Sequence, residues 1–372
     1  MTHSGPRHRS AERRSRRWSP RTALLALACL ALLLVLLQLL QGKGPVDRTS
    51  SDRAAPRPAG SCDASSLLVP PCGAWWGAYV PPGPQGLAAS VDAFEKTIGR
   101  KLDIVYAYHD MGSGTDGELL TPDEQSLGRD HLLMLSWESD VWGGADNGTA
   151  SRPLGWSKVA AGDYDATIID PGAERIKAYG RTVFLSIDQE MDLRTPAQGT
   201  PAQYVAAFRH IHDRFQQLGV DNVVWVWTVT GYLPDAALMS ASYPGSAYID
   251  WIAYDQYNYF GCKSNPNWQS FAQTEVPSYL WLRQHISATK PMMIAEFGTA
   301  VDPAQPQSQQ QWYEQVPQVV KEQLPGVRAV LQWDSGVPGP DCDLSVNPPA
   351  AMAGYTQAGT DPYFHQPLPA VP

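Results

Sequence analysis

The chain has 372 residues, of which 43% are hydrophobic and 17% are charged, a composition that excludes a disordered solvating chain and a coiled coil. Residues 1–21 contain seven Arg and one acidic residue, Glu12, while the net charge of the whole chain is −9, so the remainder is strongly acidic. Because the only dense basic run precedes an apolar segment, no nucleic-acid partner is expected.

The apolar segment 22–40 (TALLALACLALLLVLLQLL) contains no charged residue. A helix of this length spans about 28 Å, close to the hydrocarbon core of a bilayer. The basic segment 1–21 should stay in the cytoplasm, which predicts a transmembrane signal anchor at 22–40 and an extracytoplasmic location for the rest. Two alternatives stay open: cleavage by a signal peptidase, although no small-x-small site follows, and lipid modification of Cys29.

Residues 41–61 are rich in Pro, Gly, Ser and Arg, which predicts a disordered linker before a globular domain at 62–372. That domain contains Cys62, Cys72, Cys262 and Cys342, an even number that is typical of disulfides in an exported protein. Of the three possible pairings, we favour Cys62–Cys72, which closes a short loop, and Cys262–Cys342, which ties two late loops. No CxxC or HxxxH spacing accompanies them, so no metal site is expected.

Eight short apolar runs follow in the domain, and most are apolar throughout, as expected of strands that are covered on both faces. They lie at 74–80, 102–108, 131–137, 182–187, 223–228, 248–253, 291–295 and 327–333. Helical patterns separate several of them. Thr200 and Pro201 start one that ends at Gly219, a second ends at Gly99, and a third runs from Trp312 to Leu324.

Eight strands with helical crossovers predict a single α/β domain, a closed (β/α)8 TIM barrel with an irregular tail beyond Met352. An open doubly wound sheet is the alternative, but no glycine-rich phosphate turn follows the first strand. Polar inserts at 138–162 and 335–349 follow the third and eighth strands, where barrel active sites are built.

Two glutamates stand at the ends of apolar strands: Glu190 in FLSIDQEMD after the fourth and Glu296 in PMMIAEFGT after the seventh. Burial raises the pKa of such carboxyl groups unless a neighbour compensates. Two that face each other across the barrel mouth are suited to act as a general acid and a nucleophile.

Five segments resemble glycoside hydrolase family 26, the mannanase-like β-glycanases: SWES (136–139), FLSIDQEM (184–191), VVWVWT (223–228), YIDWIAYDQY (248–257) and MIAEFGT (293–299). The resemblance implies a barrel with catalytic glutamates on strands four and seven. Carried over by position, Glu190 matches the acid/base, Glu296 the nucleophile, and Tyr257 a tyrosine that hydrogen-bonds the nucleophile. Trp137 and Trp333 match aromatic platforms on which sugar rings stack.

Further interpretations concern the residues around these positions. His109, after the second strand, is a candidate partner for a sugar hydroxyl. The family usually has His directly before the acid/base and Asn two residues after it, where this chain has Gln189 and Asp192. Gln189 can still donate to a sugar 2-hydroxyl, but the departure puts a preference for mannan in doubt, because mannose and glucose differ at that position.

The sequence therefore predicts a retaining glycoside hydrolase, an endo-β-glycanase that cleaves a β-mannan or β-glucan type polysaccharide without metal or organic cofactor. The domain is expected to be a membrane-anchored monomer. Two alternatives stay open. One is a lysozyme-like cell-wall hydrolase that uses Asp188 and Glu190 as its pair. The other is a barrel that binds glycan without turning it over, and such a barrel would need neither Glu190 nor Glu296.

Overall fold

The computed structural model describes residues 64–70, 72–112, 118–142, 152–262, 265–336 and 342–369. The predicted anchor at 22–40, the linker and Cys62 lie outside these ranges. Within them, no helix is long and apolar enough to cross a bilayer.

Eight parallel strands close into a barrel, which confirms the predicted fold class. The strands are β1 (Trp75–Tyr79), β2 (Ile104–Asp110), β3 (Leu132–Glu138), β4 (Val183–Ile187), β5 (Val223–Val229), β6 (Trp251–Asn258), β7 (Met292–Thr299) and β8 (Val327–Trp333). Each strand pairs with its sequence neighbours and β1 pairs with β8, so that β4 lies opposite β8 and β5 opposite β1. The ends of β6 and β7 extend several residues beyond the predicted 253 and 295, because the parallel ladder continues through the polar residues at the mouth.

Most of the helices cover the outside of the barrel. The helices are α1 (Leu87–Ile98), α2 (Pro122–Leu127), α3 (Trp156–Ala160), α4 (Asp170–Tyr179), α5 (Met191–Arg194), α6 (Pro201–Gln217), α7 (Ala236–Ala241), α8 (Phe271–His285), α9 (Gln307–Glu314), α10 (Val316–Gln323) and α11 (Pro349–Gly359). Short 3-10 turns lie at Leu233–Asp235 and Pro362–Phe364, a π-turn lies at Asp165–Ile169, and two short antiparallel strands, Asp140–Val141 and Arg152–Pro153, lie in the insert after β3.

Helix α6 begins as predicted. The Thr200 side chain accepts from the Gln203 amide, and the Gln203 side chain accepts from the Thr200 amide. This capping box and Pro201 in the first turn fix the start of the helix.

Two expectations about helices are wrong. The pattern from Trp312 to Leu324 forms two helices, α9 and α10, which meet at Gln315. Pro317 lacks an amide hydrogen and cannot continue the hydrogen bonds of α9. The tail is not irregular beyond Met352, because α11 runs to Gly359 and packs the buried ring of Tyr355 on Trp76 at 4.7 Å between centroids.

Alternation along the strands divides the buried residues into two layers. One layer fills the barrel lumen and includes Trp75, Phe184, Trp251 and Met293. The other lies between the strands and the helices. At the end opposite the site, the indole nitrogens of Trp75 and Trp251 donate to the carbonyls of Leu68 and Leu67.

Candidate active site

Glu296 lies in the barrel mouth with both carboxylate oxygens bound. The hydroxyl of Tyr108 on β2 donates to Oε1 at 2.5 Å, and the hydroxyl of Tyr257 on β6 donates to Oε2. The contact from Tyr257 is the one that the resemblance implied. Two phenol donors from different strands fix the orientation of the carboxylate and favour its ionised form.

A β-bulge points Glu296 into the mouth. Tyr254 pairs with Ile294, but Asp255 pairs with Glu296, so Ala295 is the extra residue of β7. The bulge shifts the alternation of the strand by one residue and turns Glu296 to the side of Asp255. Strict alternation from Met293 and Ala295, which face the lumen, would have placed Glu296 on the outer face of the sheet.

The pKa of Glu296 is raised from its usual 4.5 to about 7. Burial is the largest cause, and the negative charge of Glu138 acts in the same direction. The hydrogen bonds from Tyr108 and Tyr257 and the positive charge of Arg194 oppose this shift. Near neutral pH the group therefore titrates between a protonated form and the ionised form that a nucleophile requires.

Glu190 follows β4 on the opposite side of the mouth and is less buried than Glu296. Its backbone amide donates to the carbonyl of Thr228 on β5 at 3.2 Å, and its φ of 52° is left-handed. Such a conformation costs a non-glycine residue about 1–3 kcal/mol.

Asp255 on β6 is a third carboxyl group at the mouth, which the sequence reasoning did not single out. It is buried, and neither oxygen has a hydrogen-bond partner among the described residues. Burial raises its pKa well above the usual value, and the charges of Glu296 and Glu190 raise it further. Glu190 follows β4 and Glu296 lies in β7, so both belong to the carboxyl-end half of the parallel barrel, where the mouth lies. The position of Asp255 two residues before Tyr257, on the same face of β6, was the available sequence signal.

Gln189 belongs to a hydrogen-bonded network in the lumen. The hydroxyl of Ser136 donates to its side-chain oxygen, and its side-chain amide donates to Glu138. Glu138 also accepts from Trp142 Nε1 at 2.9 Å and pairs with Arg194 at 2.7 Å. This network fixes the Gln189 amide and places a carboxylate, Glu138, that sequence reasoning missed.

The prediction that Trp137 is an aromatic platform for sugar rings is wrong. Its side chain is fully buried on the outer face of β3, where the indole nitrogen donates to the carbonyl of Asp110 at 3.1 Å. The ring packs so closely on Gly172 of α4 that an added Cβ there would lie 2.6 Å from it. On alternating strands the lumen face takes Met134, Ser136 and Glu138, so Trp137 faces the helices.

His109 is also wrong as a sugar ligand. It pairs with Trp137 in the β2–β3 register and shares its outward direction. The ring is buried, and its Nε2 lies 2.7 Å from Glu124 on α2.

The Asp188/Glu190 pair of the lysozyme-like alternative is not formed. Asp188 is fully buried and accepts from the amide and hydroxyl of Ser139, at 2.7 and 2.6 Å, and from Trp156 Nε1 at 2.8 Å. Ser139 and Trp156, which supply these three donors, lie in the insert that follows β3, so Asp188 fixes this insert to the barrel. A substrate in the mouth cannot reach this carboxylate, so its role is structural.

Trp333 is partly exposed at the end of β8, where an aromatic platform was predicted. Its ring stacks on Tyr79 with centroids 4.4 Å apart and meets the edge of Tyr108 at 5.3 Å. Behind it lies the disulfide Cys262–Cys342, with Cα atoms 5.1 Å apart, which confirms that predicted pairing. Cys72 is also disulfide-bonded, but its predicted partner Cys62 is not described, so that pairing stays a prediction.

The described residues contain no group of three or more His, Cys, Asp or Glu side chains that is placed to hold a metal ion.

The fold and the mouth together define a class: closed parallel barrels with one glutamate after strand four and another in the second half of strand seven. Within that class, residues 194–280 match the sequence model of glycosyl hydrolase family 26. The resemblance to family 26 predicted from the sequence is thereby confirmed.

A relative of known name supports this match. Over 235 residues, 60% of this chain, the sequence is 32% identical to endoglucanase H of Acetivibrio thermocellus. The chain spans only 24% of the length of that protein.

Solved structures agree at the level of the fold. A β-mannanase from a symbiotic protist of the termite Reticulitermes speratus, in complex with gluco-manno-oligosaccharide, matches with a TM-score of 0.54 and 14% identity over 82% of this chain and 93% of its own. The family 26 domain of an endo-β-mannanase/endo-β-glucanase from Prevotella bryantii matches with a TM-score of 0.53 and 15% identity, over 80% and 92%. A ruminal family 26 endo-β-1,4-mannanase gives 0.53 and 15%, over 78% and 64%.

Proposed function

We propose that this chain is a retaining endo-β-glycanase with Glu296 as the nucleophile and Glu190 as the acid/base. The observation that carries the proposal is the pair itself. Glu296 on β7 is held by two phenols in the mouth, and the more exposed Glu190 follows β4, whose carboxyl end opens on the same mouth.

In the proposed mechanism, ionised Glu296 attacks the anomeric carbon while Glu190 protonates the departing glycosidic oxygen. A covalent glycosyl-enzyme forms, and the bond to the leaving sugar breaks. Glu190, now ionised, takes a proton from water, which attacks the same carbon and releases Glu296. Tyr108 and Tyr257 hold the nucleophile in line throughout, since they bind its two oxygens from opposite strands.

We propose a β-glucan rather than a β-mannan as the substrate. Gln189 is fixed by Ser136 and Glu138, so its amide cannot turn freely toward an axial 2-hydroxyl, the mark of mannose. The name of the relative from Acetivibrio thermocellus, an endoglucanase, points the same way.

The experiment is hydrolysis of a panel that contains mixed-linkage β-glucan, β-mannan, β-1,3-xylan and peptidoglycan, with release of reducing ends as the readout. The Glu296→Gln variant is the matched control. The proposal expects mixed-linkage β-glucan to be cleaved fastest, with retention of anomeric configuration and no turnover by the variant. Binding of a glycan by both proteins without turnover by either would favour the non-catalytic barrel.

We further propose that segment 22–40 anchors the domain on the extracytoplasmic side of the membrane. Its uncharged sequence and the arginines of residues 1–21 support the proposal. The full-length chain should fractionate with membranes, and protease added outside intact cells should release the domain. A soluble product that begins near residue 41 would show cleavage instead.

A further inference from the structure

Two apolar side chains are exposed on the segments that follow β4 and β5, which are joined by the hydrogen bond from the Glu190 amide to the Thr228 carbonyl. Leu193 on α5, after β4, is 64% exposed, and Tyr232, after β5, is 56% exposed. Tyr232 is the most exposed aromatic side chain in the described part of the chain, and its ring contacts no other aromatic ring there.

The backbone that carries these side chains is fixed. Asp192, the neighbour of Leu193, accepts from the amide and the hydroxyl of Thr230, and that hydroxyl oxygen accepts from the amide of Tyr232 at 3.1 Å. The Thr230 carbonyl also accepts from Gln256 Nε2 at 2.7 Å. Both loops are therefore tied together through the Asp192–Thr230 pair.

Gly231 forms the turn between Thr230 and Tyr232. Its φ of 67° is left-handed, and its carbonyl accepts from the Ser278 hydroxyl at 2.7 Å. An added Cβ would lie 3.1 Å from Gln256 Nε2 and 3.2 Å from Ser278 Cβ. Tyr232 is thus presented by a rigid turn, and ordering its ring on a ligand costs little conformational entropy.

The order of the strands in the barrel indicates which part of a bound substrate would lie on Leu193 and Tyr232. The aromatic wall of Tyr79 and Trp333 lies on β1 and β8, while Leu193 and Tyr232 follow β4 and β5, directly opposite. A chain that crosses the mouth between these walls passes Glu296 and then Glu190. The acid/base protonates the oxygen of the leaving sugar, so that sugar lies on the Glu190 side.

We infer that Tyr232 and Leu193 form the leaving-group subsite, an apolar platform for the face of the β-linked hexose that departs from Glu190. The inference rests on the proposed function. A pyranose ring presents C–H groups on its faces, and an exposed phenol ring on a fixed turn is suited to stack on them.

The test compares two substrates in the purified protein. Mixed-linkage β-glucan places a sugar on the platform, whereas cellobiosyl fluoride has a single atom as its leaving group. For Tyr232→Ala, the ratio of kcat/KM on glucan to kcat/KM on the fluoride should fall roughly three- to tenfold. Tyr232→Phe, which keeps the ring, should keep the ratio of the parent.

Leu280→Ala is the matched control, because Leu280 is 55% exposed on α8 and lies in the helix layer. It should leave both rates unchanged. Transfer of the glycosyl group to added cellobiose should fall with Tyr232→Ala, since the acceptor occupies the same subsite. An unchanged ratio for Tyr232→Ala, or equal losses on both substrates, would overturn the subsite while leaving the proposed function in place. A parent protein that hydrolyses neither substrate would overturn the proposed function and the subsite together.

Discussion

The two halves of the mouth are built differently. On the side of β7, β8, β1 and β2, Glu296 is buried and bound by two phenols, and Trp333 stacks on Tyr79 and packs against the cluster that contains the disulfide. On the side of β4 and β5, Glu190 is more exposed and has a left-handed backbone, and Leu193 and Tyr232 on the segments that follow these strands are exposed. A nucleophile needs one fixed orientation and a controlled charge. An acid/base needs contact with the solvent, because it must receive water and exchange protons.

The largest expected effect is the loss of activity when either glutamate is replaced, because the account makes both of them reacting groups. Glu296→Gln should bring turnover of glucan below detection, and Glu190→Gln should lower kcat about 10²- to 10⁴-fold. Glu190→Ala should lose much less on aryl glycosides, whose leaving groups need no proton. Asp188→Asn serves as the control for the alternative pair, because Asp188 is buried among structural donors. A fully active Glu296→Gln protein would contradict the account.

The half of the mouth that contains Glu296 and Trp333 should depend on its disulfide. Replacing Cys262 and Cys342 together by Ala opens a loop of 80 residues, and the free energy of unfolding should fall by about 4–5 kcal/mol. Denaturant unfolding of the variant and the parent under non-reducing conditions measures the difference. Equal midpoints and slopes would show that the bridge does not stabilise this wall.

The charge of Glu296, the proposed nucleophile, should respond to its two phenol donors. Tyr257 lowers the pKa of Glu296, so Tyr257→Phe should raise it. Because the ionised form is the active one, activity rises with pH through this pKa, and the acid limb of kcat/KM should move upward by about one pH unit. Tyr79→Phe keeps the stacked ring and is the control. An acid limb that does not move in Tyr257→Phe would show that Glu296 does not determine this limb, or that Tyr257 does not lower its pKa.

The smallest expected effect concerns substrate choice. Gln189→His restores the residue that the family usually has before the acid/base and breaks the bonds to Ser136 and Glu138. The ratio of mannan to glucan hydrolysis should rise about tenfold, the value of one hydrogen bond. Rates on both polysaccharides under the same conditions give the ratio. A constant ratio would show that Gln189 does not discriminate between the 2-hydroxyl groups of mannose and glucose.

Much of this fold could be predicted from the sequence, because continuous apolar runs and helix caps are local signals. Strand β8 has its predicted bounds, and α6 begins at its capping box. The direction of side chains at the mouth was harder to predict. Trp137 was chosen although Glu138, one residue on, faces the lumen, and this error follows from ignoring the alternation from Met134.

The orientation of Glu296 depends on a register shift between β6 and β7, and no local pattern announces it. The break between α9 and α10 at Pro317 could have been predicted, because proline inside a helical pattern is a known stop signal.

The central claim is that Glu296 forms the covalent intermediate. A 2-deoxy-2-fluoro cellobioside with a good leaving group should inactivate the protein and add one glycosyl unit to it. Digestion and mass spectrometry should place the label on the peptide that contains Glu296, and the Glu296→Gln variant should take up none. A label on Glu190 or Asp255, or a parent protein that takes up no label and releases product of inverted configuration, would contradict the account.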